Sequence, residues 1–184
     1  GKRWPLPHRG RLLVLGAGKG VAPMGAAVEE LLGDRIHSGL LVVKYGHGLP
    51  LRQITQVEAA HPVPDAAGAA ATQALLELYY GDLCTRLHVI GITGTNGKTS
   101  VASIISQLLK MEGCRVLQIG TGSVRYPDEV IEIHNTTPGC FQLANYFRRA
   151  HDEKITHVVM EVSSHAIDQN RISFLHFDDI VYTN

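Results

Sequence analysis

Short apolar runs alternate along this chain with stretches whose apolar residues recur every three or four positions, the order expected of a parallel sheet covered by helices on both faces. The runs predict strands at residues 11–15, 39–43, 56–60, 88–93, 115–119, 157–162 and 179–183. Between them Val21, Met24, Val28, Leu31 and Leu32 keep helical spacing, as do Val101, Ile104, Ile105, Leu108 and Leu109, and both sets predict stripes that face a core. An Ala-rich helix is predicted over residues 65–79. Another is predicted from Thr137, as N-cap, and Pro138, at the first helical position, to about Ala150. The pattern reads as a doubly wound α/β fold with a mainly parallel sheet, in a single domain. Unbroken alternation predicts one cooperative unit, with strands 11–15 and 88–93 neighbours or near neighbours in one sheet.

Composition narrows the partners. The 184 residues are 45% hydrophobic and 18% charged, enough for one good core and short for two. Seventeen basic residues balance seventeen acidic ones, so no net field draws the chain to nucleic acid or to an anionic membrane, and a small-molecule partner is favoured. Cys84, Cys114 and Cys140 are odd in number and lack CxxC spacing, which argues against a disulfide framework and a zinc site and fits a reducing cytoplasm. The basic N-terminus, GKRWPLPHRGR, precedes too short an apolar run for a signal peptide or a membrane span, so a soluble protein is expected.

The sharpest chemistry lies where the strand at 88–93 runs into a helix through Gly94, Thr95, Asn96, Gly97, Lys98, Thr99 and Ser100. At such a junction glycines let successive N–H groups converge on phosphate oxygens, and the helix N-terminus adds partial positive charge. The loop is therefore read as a site for a nucleoside triphosphate, ATP, with Lys98 reaching the β- and γ-phosphates and the Thr99 hydroxyl on Mg²⁺; a glycine-rich strand-to-helix turn with an incidental lysine is the alternative. The common phosphate-loop pattern places a glycine five residues before Gly97, where this chain has Ile92.

That departure is itself informative, because TGTNGKTS resembles the loop of the Mur ligases, ATP-dependent enzymes that add amino acids to the peptidoglycan precursor. The resemblance runs from residue 79 or 80 to 184, through YYGD (79–82), GITGTNGKTS (91–100), NTTP (135–138), MEVSSHA (160–166), Gln169, Arg171 and a last strand ending in TN. It is to the central ATPase domain of the member that adds the third residue, UDP-N-acetylmuramoyl-tripeptide synthetase. The resemblance implies that Gly94 to Ser100 bind ATP, with Lys98 catalytic. It implies that Asn135, Thr136, Thr137, Ser163, Gln169 and Arg171 contact a UDP-MurNAc-peptide, and that Glu161 joins Thr99 on the metal. Alternatives stand beside these roles: Ser163 and Ser164 as caps of a turn, Arg171 as a solvated charge, and His165 oriented by the turn rather than catalytic. In the family a peptide carboxylate attacks the γ-phosphate, and an amine then displaces phosphate from the acyl phosphate. The family's carbamylated lysine, a later histidine ligand and the C-terminal domain would all follow Asn184, so a complete ligase cycle is not expected of this chain.

The first 78 residues resemble a different family. RLLVLGAGKGVAPM (11–24), GLLVVKYGHG (39–48) and EAAHPVPDAAG (58–68) are similar to the N-terminal region of the glycerate 2-kinases, which transfer phosphate from ATP to glycerate. That resemblance implies a catalytic role for Lys19 and places the loop from His61 to Asp65 near an active site; Gly20 stands where the family usually has alanine. Taken alone, Gly16-x-Gly18 is a phosphate or dinucleotide signal whose third glycine is replaced by Val21, and a tight strand-to-helix turn is the alternative reading. Two incomplete halves joined near residues 78–80 suggest an engineered chimera. Three functions then compete: a nucleotide-binding domain without efficient turnover, a residual ATPase or kinase acting through Lys19 and Lys98, and a scaffold whose loop stays empty.

Overall fold

A computed structural model describes residues 10–61, 63 and 65–184. The basic N-terminal stretch as far as Arg9, and Pro62 and Pro64 of the loop at 61–65, lie outside the described residues. The chain divides into two compact units, and the division falls after Leu75.

In the first unit β1 (Leu13–Ala17), β2 (Ser38–Lys44) and β3 (Thr55–Ala59) form a parallel sheet in the order β1-β2-β3. Helix α1 (Val21–Leu32) connects β1 to β2. Its buried face carries Ala22 and Gly25, and a Cβ on Gly25 would stand 2.5 Å from the Leu41 side chain, so this glycine permits the close approach of helix to sheet. Val21, Val28 and Leu32 pack at the flanks of that seam. Met24 and Leu31, expected in the same stripe, are exposed, because the helix meets the sheet through its smallest residues and turns these two away.

Helix α2 (Ala66–Tyr80) leads into the second unit, and the division between the units falls within it. There β4 (His88–Thr93), α3 (Lys98–Met111), β5 (Val116–Gly120), β6 (Ser123–Arg125), β7 (Val130–Glu132), α4 (Cys140–Asp152), β8 (His157–Glu161), α5 (Ser164–Asp168) and β9 (Asp179–Tyr182) follow in chain order. They build a six-stranded sheet, β7-β6-β5-β8-β4-β9, parallel from β5 to β9 and antiparallel across β5-β6-β7. The period-two alternation of the parallel strands splits their side chains between two helices. Ile90, Ile92, Val116 and Val159 pack with Ala102, Val101, Ile105 and Leu109 of α3. Val89, Leu117, Ile119, Val158 and Met160 pack with Leu143, Ala144, Phe147 and Ala150 of α4.

The doubly wound α/β class holds, and three details depart from the sequence reading. Strands 11–15 and 88–93 were expected in one sheet and lie in two, since β1 pairs with β2 and β4 pairs with β8 and β9. The hairpin β6-β7 carries too few residues to show a period. In α3, Ile104 and Leu108 are exposed because the seam runs along Ala102 and Ser106, again the small residues.

Two outcomes test this packing. Phe147 is fully buried in the larger core, and Phe147→Ala should lower unfolding free energy by about 3–5 kcal/mol in denaturant titration. At the opposite end of the sheet from the loop, His157 lies 5.4 Å from His88, measured between ring centroids, and His88 Nε2 is 2.6 Å from Asp179 Oδ2. Burial, and then the neighbouring His88, lower the pKa of His157 below its ordinary 6.5, so the folded state disfavours its protonation. The stability that this provides is complete above the ordinary value and is lost as pH falls from there through the lowered one. Unfolding curves at about pH 7.5 and about pH 5 should show that loss, and His157→Gln should flatten it.

Candidate functional site

β4 ends at Thr93 and the chain turns over its end into α3. The turn requires glycine twice: Gly94 has φ +134°, and Gly97, the N-cap of α3, has φ +84°. With no side chain capping the helix, the N–H groups of Gly97, Lys98, Thr99 and Ser100 meet no acceptor among the described residues. Four donors beside a helix N-terminus make an anion site. The Lys98 ammonium lies folded over the loop, donating to Gly94 O at 2.7 Å and Thr95 O at 3.3 Å.

The end of β9 holds this turn in shape. Asn184 Oδ1 accepts from the N–H groups of Thr95 (2.8 Å) and Asn96 (2.9 Å), and Thr183 Oγ1 lies 2.6 Å from Asn96 O as its donor. A Cβ on Gly94 would stand 2.2 Å from Thr183 Oγ1, so the glycine is needed for approach as well as for its φ. In the sequence Thr183 and Asn184 close the last strand of the Mur ligase resemblance, with no role of their own. Nothing in their spacing announces a clamp on a loop nearly ninety positions earlier in the chain.

Glu161 is the last residue of β8, in register with Ile92 of β4, and alternation turns it toward the α3 face of the sheet. It is 1% exposed. Thr99 Oγ1 donates to its Oε2 at 3.0 Å, and Thr121, just past β5, donates twice, from N–H to Oε1 at 3.1 Å and from Oγ1 to Oε2 at 3.2 Å. No ion pair of Glu161 occurs among the described residues. A buried carboxylate without a cationic side chain suits a site completed by a metal ion. Among the described residues there is no cluster of three or more His, Cys, Asp or Glu side chains placed for a metal. The donor set, one carboxylate and one hydroxyl beside a phosphate site, is of the kind Mg²⁺ uses, with phosphates and waters completing its shell.

Of the residues expected to contact a nucleotide-peptide, Thr137, Ser163, Arg171 and Gln169 form one hydrogen-bonded cluster beside Glu161. Thr137 is buried and does not cap a helix: α4 begins at Cys140 with Gly139 as N-cap, and the Thr137 hydroxyl instead donates to Glu161 O at 3.0 Å and accepts from Ser163 N–H at 3.1 Å. That cross-chain pair satisfies the backbone at the end of β8, which outweighs a local cap. Arg171 is not a free surface charge, since its Nη1 donates to Thr137 O at 2.9 Å and its Nε to Gln169 Oε1 at 2.9 Å. Ser163 caps α5, its Oγ accepting from Ala166 N–H at 3.2 Å. Asn135 is exposed, and Thr136 Oγ1 is 3.0 Å from Thr121 Oγ1.

Lys19 falls in the other unit, exposed on the turn between β1 and α1, without a hydrogen-bond or ion-pair partner among the described residues. A cavity of about 160 Å³ lies at the C-terminal ends of this unit's strands, lined by Gly18, Val42, Lys44, Ala60, His61 and Thr72 among others, and Lys19 is not in its lining. Asp65 caps α2, accepting from Gly68 N–H at 2.9 Å and Tyr45 Oη at 2.7 Å, and these bonds hold its carboxyl below the usual range.

Comparison with known proteins finds two family matches. The Mur ligase middle domain matches residues 92–184, the span that holds the loop, Glu161 and the Thr137 cluster. The chain belongs to the Mur ligase middle-domain family. A second family, described as a domain of unknown function (DUF4147), matches residues 1–112, so the chain belongs to that family too, and the two overlap over residues 92–112. Among curated relatives, the UDP-N-acetylmuramoyl-L-alanyl-D-glutamate–2,6-diaminopimelate ligase of Bacillus cereus is 39% identical over 110 residues, 60% of this chain and 22% of that protein. Its counterpart in Geobacillus thermodenitrificans is 41% identical over 122 residues, 66% of this chain and 24% of the relative. The chain thus spans under a quarter of the length of these two relatives. A solved structure of a ligase with the same name superposes with a TM-score of 0.58 at 19% identity, over 96% of this chain and 34% of that one, a likeness of fold.

The clamp from β9 has a direct consequence. Asn184→Ala should free the Thr95 and Asn96 N–H groups, and hydrogen exchange at those two amides should accelerate about tenfold, the equivalent of one net hydrogen bond each, while β4 amides stay protected.

Proposed function

We propose that this chain holds the triphosphate of ATP on the loop from Gly94 to Ser100, with Mg²⁺ on Thr99 and Glu161, and that it does so for amide-ligase chemistry on a UDP-MurNAc-peptide. The observation that carries the reading is the meeting of Thr99 and Glu161 at 3.0 Å beside four N–H groups without an acceptor among the described residues. Those N–H groups would donate to phosphate oxygens, and Lys98 would leave the carbonyls of Gly94 and Thr95 to lie between the β- and γ-phosphates. The metal, when bound, supplies charge neutralisation on the phosphates. Asn135, Thr136, Thr137, Ser163, Gln169 and Arg171 would face the nucleotide-peptide, and the relatives' names point to diaminopimelate as the incoming amino acid. A cytoplasmic setting goes with such substrates.

Lys19 keeps a separate role in this reading, as a phosphate contact on the turn after β1, supported by its exposure and lack of a partner among the described residues. Because Lys19 and Lys98 fall in different units, each is best tested by itself. Two families that overlap over residues 92–112, from the end of β4 through the glycine loop and α3, support a fusion at a shared element. They do so without requiring that the fusion was engineered or that turnover is absent.

Calorimetric titration with ATP and Mg²⁺ tests the proposal. Lys98→Ala should weaken triphosphate binding at least about tenfold, with an unchanged circular dichroism spectrum, because Lys98 is the loop's one full positive charge. Equal affinity of the variant and the parent chain would remove the loop from the function.

A further inference from the structure

Glu161 alone does not determine where its carboxylate points. Three hydrogen bonds do, and two come from one residue that neither motif nor spacing singled out. Thr121 donates its N–H to Oε1 at 3.1 Å and its hydroxyl to Oε2 at 3.2 Å, gripping both oxygens. Thr99 adds the third. The preceding residue makes room for this: a Cβ on Gly120 would stand 2.1 Å from Glu161 Oε1, so only glycine lets the carboxylate lie where Thr121 reaches it.

The Thr121 hydroxyl has one proton. Having given it to Glu161, it serves as acceptor toward Thr136 Oγ1, 3.0 Å away. A continuous chain of hydroxyls then runs from Thr136, in the segment assigned to the nucleotide-peptide, through Thr121 to the carboxylate assigned to the metal. Thr121 itself is exposed, so its packing is not what the fold requires of it.

We infer that Thr121 is a positioning residue that orients the Glu161 carboxylate for a divalent cation bound with nucleotide, and that it links that carboxylate to Thr136. The inference rests on the proposed role of Glu161 as a metal group. Carboxylates that bind metals are commonly held by hydrogen bonds of this kind, and loss of such a partner typically costs about 10–100-fold in metal affinity.

The test compares the parent chain with Thr121→Val, Thr121→Ser and Glu161→Gln. Mn²⁺ stands in for Mg²⁺, and its binding in the presence of ATP is read from the electron paramagnetic resonance signal of free Mn²⁺; thermal midpoints are recorded alongside. Valine keeps the shape and the backbone N–H but removes the hydroxyl, so Thr121→Val should weaken Mn²⁺ binding about tenfold with the midpoint little changed. Serine restores the hydroxyl and should return affinity to within about twofold of the parent. If Thr121→Val binds like the parent while Glu161→Gln is impaired, the positioning role is overturned and the metal role of Glu161 stands. If Glu161→Gln also binds like the parent, the metal reading fails and the inference falls with it. Equal loss in Thr121→Val and Thr121→Ser, with lowered midpoints in both, would show a structural role and overturn the inference.

Discussion

A carboxylate sealed from water beside the end of a parallel sheet is the constraint around which the second unit is organised. Glu161 is 1% exposed and has no ion pair among the described residues, and an isolated buried charge is costly enough that its surroundings must supply donors. They come from α3 through Thr99 and from the end of β5 through Thr121. The backbone carbonyl of the same residue is taken by Thr137, on the approach to α4. One residue therefore ties together the start of α3, the strand next to its own, and the segment that leads into α4.

The loop is held from its other side by β9. Thr183 and Asn184 fix the carbonyl of Asn96 and the N–H groups of Thr95 and Asn96, while the next four N–H groups meet no acceptor among the described residues. Prepaid geometry of this kind makes an anion site effective, because donors already aimed at the ligand need little reorganisation when it binds. The Lys98 ammonium donates to carbonyls of the loop, which are weaker partners for it than a phosphate would be.

The first unit shows the same architectural device at a smaller scale. Its first strand ends in a glycine turn, and its cavity sits at the C-terminal ends of its parallel strands, where ligands of open α/β sheets bind. The two family matches overlap over residues 92–112, which take in the end of β4, the glycine loop and α3.

What the sequence by itself determined is what is local. The strand–helix order, the two glycines with positive φ at the phosphate loop, and the α/β class all follow from interactions within a few residues, which leave a period or a fixed spacing behind. What the tertiary structure decided is which distant groups meet. That β1 and β4 belong to different sheets, that α1 and α3 bury Ala22, Gly25, Ala102 and Ser106 and turn Met24, Leu31, Ile104 and Leu108 outward, and that Thr137 serves β8 rather than capping α4, were all settled by packing. Thr121, Thr183 and Asn184 belong to the same class: their hydrogen bonds join residues 40 to 90 positions apart, and a bond across such a separation imposes no periodicity on the residues between its ends.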